Sequence, residues 1–327
     1  MRLFVERLDR WVEFGHVGNA SGARNFFGQG YPFHHLARPV GLNFRGSYLV
    51  AKTAPLEPRK GNMATKKDGM TPRDLFPDCV IALPRTAAGL NAVGLTCPGL
   101  RVLLSLDRWQ RWPEPFFLSL MAVGATREER LNEYRAIVSL LTPQLPKFQA
   151  PLGLEVNITC PNVGLHLDAL LGEVEDILRI LSVLGLPILI KINVLLPVEA
   201  ALEMERLEHL AGIVQGNSLP WDAVPAELRL QLFGTTVSPL AKYGGGGLSG
   251  RPLLPLVNVW IGQARKAGFA KPIVGCGGIM SAADAEWMLA RGATAVQLGT
   301  VCMVRPWRVR GIINHVNWWF EEKERLA

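Results

Sequence analysis

Short apolar runs recur along the chain, each followed by loop residues and then by a helical pattern. The runs are His16–Ser21, Ser47–Thr53, Phe116–Ala122, Leu154–Thr159, Pro187–Ile192, Gly212–Gly216, Pro272–Gly277 and Ala293–Gly299. Each reads as a strand by length and composition. Between several of them lie helices with legible signals. Thr126-x-x-Glu129 predicts a capping box opening a helix with Leu131, Tyr134, Val138 and Leu141 on one face. Ser281-x-x-Asp284 opens another, with Ala285, Met288 and Leu289 inward, and Val174, Ile177, Leu178 and Leu181 form a third stripe. Alternation of strand and helix argues a parallel sheet. Eight such strands in 327 residues point to an α/β fold of the (β/α)8 TIM-barrel type.

Two intervals are too long for simple crossovers. Pro55 to Pro113 is turn-rich and holds Cys79–Leu83; Asn217 to Gly250 holds Leu230–Val237. Long segments inside a compact domain are usually lids or small hairpins, so both read as insertions on the C-terminal rim, at about 55–113 and 218–250. No linker, repeat or low-complexity tract divides the chain, which predicts a single domain over 1–327. At the start, Leu3, Phe4, Leu8, Trp11 and Val12 suggest a short amphipathic helix. The charges there come too often for a secretory signal. The most apolar stretch, Ile180 to Ile190, is too short to span a bilayer.

Composition changes this picture little. The chain is 49% hydrophobic and 19% charged, ordinary for a globular protein. Its net charge of +7 is densest from Arg59-Lys60 through Lys66-Lys67. Without interleaved aromatic residues that run reads as a solvated loop and not a nucleic-acid face. Five widely spaced cysteines contain no CxxC pair, so neither a zinc site nor an iron–sulfur cluster is signalled, and no metal is expected. A reducing, cytoplasmic setting fits them best.

Candidate chemistry gathers at the predicted strand ends. The strand Leu154 to Ile158 runs into Asn157, Cys160 and Asn162, two amides and a thiol suited to a planar ligand with a proton to remove. The plainer alternative is a strand end with a buried cysteine. Gly275-Cys-Gly-Gly278 and Gly299-Thr300 end the last two strands, where backbone amides commonly hold a phosphate. Tyr243 to Gly250 adds a further glycine cluster. Lys52 and Lys191 are lone charges in apolar strands, and an unpaired buried ammonium is costly, so each should meet an anion. That anion is either a carboxylate of the protein or a reduced flavin ring, which a fixed lysine would stabilise. Asn91 and Asn217-Ser218 bring the rim amides to four, a cradle for a small polar heterocycle unless each is only a turn residue.

These segments together resemble the dihydroorotate dehydrogenase family from Asn19 to about Phe320. The matching pieces are Asn19-Ala-Ser-Gly22, Lys52-Thr53 with Leu56-Glu-Pro-Arg-Lys-Gly-Asn62, and Asn91-Ala-Val-Gly-Leu95. They continue with Asn157-Ile-Thr-Cys-Pro-Asn162, Lys191, Asn217-Ser218, Gly246-Gly-Leu-Ser-Gly250, Gly277-Gly278 and Gly299-Thr300. The resemblance implies an FMN-containing barrel that oxidises dihydroorotate to orotate in pyrimidine biosynthesis. It would place Ala20, Ser21, Gly22 and Thr53 along the flavin, with Lys52 and Lys191 at its polar edge. Ser249, Gly250, Gly277, Gly278, Gly299 and Thr300 would surround the FMN phosphate. Asn91, Asn157, Asn162, Asn217 and Ser218, with the backbone of Val93, Gly94 and Leu95, would hold the pyrimidine; Asn157 would touch both molecules. Cys160 matches the base position, which is Cys in the family's soluble class and Ser in its membrane-associated class. It would take a proton from C5 while hydride leaves C6 for flavin N5.

The family also implies a homodimer, and leaves the electron acceptor open among fumarate, a quinone, or NAD reached through a partner subunit. Two departures bear on substrate and acceptor. Met-Ala-Thr-Lys-Lys follows Gly61-Asn62 where the family tends to place prolines and an arginine, and the segment after Asn162 matches the mobile active-site loop only loosely. Three alternatives follow: a related flavin enzyme acting on another pyrimidine or cyclic amide, a non-catalytic flavin-binding paralogue, and a non-redox phosphate-binding barrel.

Overall fold

The computed structural model describes residues 1–158 and 167–326. Cys160 and Asn162 therefore lie outside the described residues. In chain order the strands are β1 (Arg2–Val5), β2 (Arg10–Glu13), β3 (Val17–Asn19), β4 (Leu49–Val50), β5 (Val80–Leu83), β6 (Ala88–Asn91) and β7 (Phe116–Leu120). There follow β8 (Leu152–Asn157), β9 (Ile188–Ile192), β10 (Leu210–Gln215), β11 (Leu219–Pro220), β12 (Gly247–Gly250), β13 (Ile273–Cys276) and β14 (Ala295–Leu298).

Eight of these form one sheet in the order β3-β14-β13-β10-β9-β8-β7-β4, with every pairing parallel. Its two edges meet where Gly18 bridges Tyr48 and the Tyr48 N–H donates to the Val17 carbonyl at 3.0 Å. The sheet is thus a closed barrel, and all eight strands coincide with the apolar runs of the sequence. Closure removes the exposed edges that a parallel sheet would otherwise present.

The helix Arg127–Leu141 carries the expected reciprocal cap of Thr126 and Glu129. Its buried face is Leu131, Tyr134, Ile137 and Leu141, so Ile137 takes the place given to the half-exposed Val138. Helix Ala282–Ala290 buries Ala285, Met288 and Leu289 as expected, but Asp284 does not complete a box with Ser281. Its carboxylate instead accepts from the Met280 N–H at 2.9 Å and pairs with Arg251 at 2.6 Å.

The start of the chain is a correction. Residues 2–13 form an antiparallel hairpin, β1–β2, and not an amphipathic helix. Its turn is set by Asp9, which sits in the left-handed region at φ 49°. Leu3, Val5 and Val12 point inward, whereas Phe4 and Trp11 lie outside and pack edge-on with ring centroids 5.7 Å apart. Apolar residues occupy both faces of the hairpin, so its period of two is hidden and the sequence resembles one of period 3.6. The hairpin covers the N-terminal end of the barrel. Arg7 N–H donates to the Gly185 carbonyl just before β9, and the Phe14 ring lies 4.7 Å from that of Phe117.

The two insertions meet in one place. β5 and β6 from the first and β11 and β12 from the second form a single antiparallel sheet, β11-β12-β6-β5. Leu230–Val237 falls partly in a helix, Ala226–Phe233, that flanks it. This sheet stands over the C-terminal ends of the barrel strands, so paired strands wall part of the rim.

Candidate active site

At the C-terminal mouth of the barrel, beneath the rim sheet, lies a cavity of about 520 Å³. Each wall can be assigned to the element that carries it. The loop after β3 brings Ala20, Ser21 and Gly22, and the end of β4 brings Lys52 and Thr53. Ser21 donates to the Ala51 carbonyl at 3.0 Å, and its hydroxyl meets that of Thr53 at 2.9 Å. Thr53 in turn meets Ser119 of β7 at 2.9 Å, so a hydroxyl chain ties three strands together under this wall.

The rim sheet contributes Asn91 from β6, with Val93, Gly94 and Leu95 directly after it. Gly94 and Leu95 are both left-handed, at φ 67° and 57°, which turns the chain sharply over the cavity. Asn157 enters from the end of β8 and Asn217-Ser218 from the end of β10. The Asn217 amide donates to Asn157 Oδ1 at 3.2 Å, and its own oxygen accepts the Ser218 N–H at 2.9 Å. These bonds orient both amides.

The opposite end is built from backbone. Ser249 and Gly250 of β12, Gly277 and Gly278 after β13, and Gly299 and Thr300 after β14 converge there. Thr300 donates to the Ser249 hydroxyl at 2.8 Å. Two of these glycines are required by geometry. Gly250 has φ +92°, and a Cβ on it would stand 2.4 Å from the Ala87 carbonyl oxygen. Gly278 has φ +80°, and a Cβ on it would stand 2.6 Å from the Leu254 backbone nitrogen. Leu254 also begins the 13-residue helix Leu254–Lys266, whose first N–H groups favour an anion. The ensemble therefore suits an elongated ligand with an anionic tail and a polar planar head.

The lysines behave differently from each other. Lys191 of β9 lines the cavity and pairs with Glu155 at 3.1 Å, so the anion it meets belongs to the protein. Burial opposes its charge, yet the carboxylate holds its pKa above that of an ordinary lysine. Lys52 donates to the Thr96 carbonyl at 2.7 Å and lies 5.0 Å from the Phe26 ring centroid. Among the described residues it has no carboxylate partner, and burial pulls its pKa down to about 8. Lys191 therefore meets the anion expected of it within the protein, whereas no carboxylate among the described residues serves Lys52.

Several lining residues went unnoticed in the sequence. Gln297 lies on the polar floor and donates to Oε2 of Glu155, buried behind it, at 2.8 Å. A lone acid two residues before Asn157 places both on one face of β8, and that spacing was a usable signal. Tyr31, Pro32, Phe33, Met63, Leu75 and Val80 add a largely apolar side that no local pattern announces, because they come from segments far apart in the chain. No group of three or more metal-ligating side chains occurs among the described residues.

A family model described as dihydroorotate dehydrogenase matches residues 40–318. A dihydroorotate dehydrogenase B (NAD(+)) catalytic subunit from Desulforamulus reducens is 31% identical, covering 91% of this chain and 86% of the relative. A dihydroorotate dehydrogenase A (fumarate) from Lacticaseibacillus paracasei is 32% identical over 84% of each chain. Among solved structures, DHODH from Eimeria tenella in complex with ferulenol superposes with a TM-score of 0.68, covering 98% of this chain and 85% of that one at 19% identity. That likeness bears on the fold alone.

Proposed function

Because this chain belongs to the dihydroorotate dehydrogenase family, we propose that it oxidises dihydroorotate to orotate in pyrimidine biosynthesis, with FMN as its cofactor and Cys160 as its base. The observation that carries this reading is the convergence of Asn91, Asn157 and Asn217 with Lys52 and Lys191 on one cavity whose far end is glycine backbone.

The residues present fit FMN. Gly250, Gly278 and Gly299 with Thr300 would take its phosphate, since backbone without side chains lets an anion approach amide N–H groups closely. Ala20, Ser21, Gly22 and Thr53 would line the ring, and Lys52 and Lys191 would face its polar edge. When bound, FMN supplies the hydride acceptor.

The chain's own groups do the rest. Asn91, Asn157 and Asn217, with Ser218 and the backbone of Val93 to Leu95, would hold the pyrimidine; Asn162 joins them from the sequence pattern. The mutual hydrogen bond of Asn157 and Asn217 fixes the donor and acceptor directions before substrate arrives, which lowers the ordering cost of binding. Cys160 takes the C5 proton. An ordinary thiol has a pKa of about 8.5, so the rate should climb with pH as the thiolate forms.

Three coarser points belong to the same reading. The barrel and its two insertions act as one domain. The protein is a homodimer. Its setting is reducing and cytoplasmic, which the free thiols of Cys79, Cys97, Cys276 and Cys302 support.

The test is an absorbance spectrum before and after anaerobic dihydroorotate. A yellow protein that bleaches supports the proposal. Bleaching by dihydrouracil alone would move the substrate to another cyclic amide. A yellow protein that never bleaches would make it a flavin-binding paralogue, and a colourless one unable to take up FMN would end the flavin reading.

A further inference from the structure

Two buried lysines face one cavity, and among the described residues only Lys191 has a carboxylate beside it. That carboxylate, Glu155, has no exposed surface and does not itself reach the cavity lining. Both of its oxygens are in use. Oε1 takes Lys191 Nζ at 3.1 Å, and Oε2 takes Gln297 Nε2 at 2.8 Å. Lys191 and Gln297 both line the cavity, from β9 and β14 on different sides of the barrel. One acid on β8 thus aims two side chains at a common space.

The pairing also fixes charge. Lys52 shows what burial does to a cavity lysine without a carboxylate: its pKa falls to about 8. Lys191, at least as buried, is held on the other side of the ordinary value. Among the described residues, the other titratable groups facing the pair are Cys276 from β13 and Tyr48 beside β4. Burial pushes the Cys276 thiol up to about 11 and raises the Tyr48 phenol further, so both are neutral near pH 7. The pair alone therefore sets the charge of the floor: one plus at the cavity, one minus behind it.

We propose that Glu155 is a positioning residue that keeps Lys191 protonated and presented to the cavity, and that its own negative charge holds the flavin's reduction potential below the value a lone ammonium would give. The inference rests on the FMN reading above. Reduction places negative charge on the ring, a nearby ammonium stabilises that charge, and a carboxylate behind the ammonium offsets part of the effect.

The experiment measures the two-electron potential of the FMN-loaded protein by equilibration with a reference dye, at pH 6.5 and pH 9.5. In Glu155→Gln the lysine is still charged at pH 6.5, and the reduction equilibrium should move at least tenfold toward reduced flavin, about 30 mV for a two-electron couple. At pH 9.5 that gain should vanish as Lys191 loses its proton. In a Lys191→Met background there is no ammonium for Glu155 to hold or offset, so adding Glu155→Gln should shift the equilibrium by less than it does with Lys191 present. Should Glu155→Gln not fold, Glu155→Asp keeps a charge in the core but withdraws it from Nζ, and at least a threefold shift of the same sign is expected. A change below threefold at pH 6.5 in the variant tested, or an equal shift in the Lys191→Met background, overturns the inference. Failure of the wild type to take FMN or to bleach would instead defeat the functional reading itself.

Discussion

Cys160 and Lys52 carry the clearest consequences at the level of single residues. Replacing the thiol by Cys160→Ala should abolish flavin bleaching by dihydroorotate while leaving FMN bound, as read by stopped-flow absorbance and by the bound-flavin spectrum. Retained reduction would remove Cys160 from the base position. Lys52 makes a separate, thermodynamic prediction. Its pKa is lowered from 10.5 to about 8 by burial. Between those values the unfolded chain binds the extra proton, so the contribution of Lys52 to stability rises as pH climbs through that window. Lys52→Met lacks this slope. In urea unfolding of the flavin-free proteins, wild type should gain on the variant by on the order of 3 kcal/mol across the window, and parallel curves would refute the assignment. The lysines also show what sequence could and could not supply. Both were legible as lone charges in apolar strands, but Glu155 lies 36 residues from Lys191, and only the pairing of β8 with β9 brings them together.

Secondary-structure elements divide by how their sides are used. The eight barrel strands announced themselves because each is buried on both faces and bounded by loop residues. The hairpin β1–β2 did not, since its outer residues Phe4 and Trp11 are as apolar as its inner ones. Leu3→Ala should therefore cost about 2–4 kcal/mol in chemical denaturation, as for other buried large-to-small changes. Phe4→Ala, on the outer face, should cost less than about 1 kcal/mol. Similar losses at both positions would contradict the hairpin's facing. At the other end of the barrel, Gly278→Ala forces a side chain against the Leu254 backbone at positive φ. The loop must shift, and FMN affinity measured by fluorescence quenching should fall at least about tenfold, with stability lower by about 1–3 kcal/mol. Unchanged affinity would place the phosphate elsewhere.

For the molecule as a whole, the rim sheet decides the organisation. β6 pairs with β12 although the two strands lie in insertions far apart in the chain. Each insertion alone would offer one short hairpin or strand, too little for independent stability. Paired, they wall the cavity and couple the rim to the barrel. One cooperative unfolding transition is expected, with circular dichroism and tryptophan fluorescence coincident. Two separated transitions would show that the rim folds on its own. Sedimentation of the holoprotein should give twice the 35.9 kDa chain mass if the homodimer reading is right.

Periodicity and strand-end chemistry are local properties, and the chain by itself settled both: eight buried strands, their helices, and the glycines, amides and lysines at their ends. Distances between segments are not local. The closed barrel decided that Glu155 and Gln297 lie beneath Lys191, that Asn157 and Asn217 hold each other, and that two insertions form one wall. It also decided which lysine has a carboxylate partner among the described residues. Such contacts depend on sheet order and register, which arise only when distant strands compete for the same neighbours and the best-packed arrangement wins.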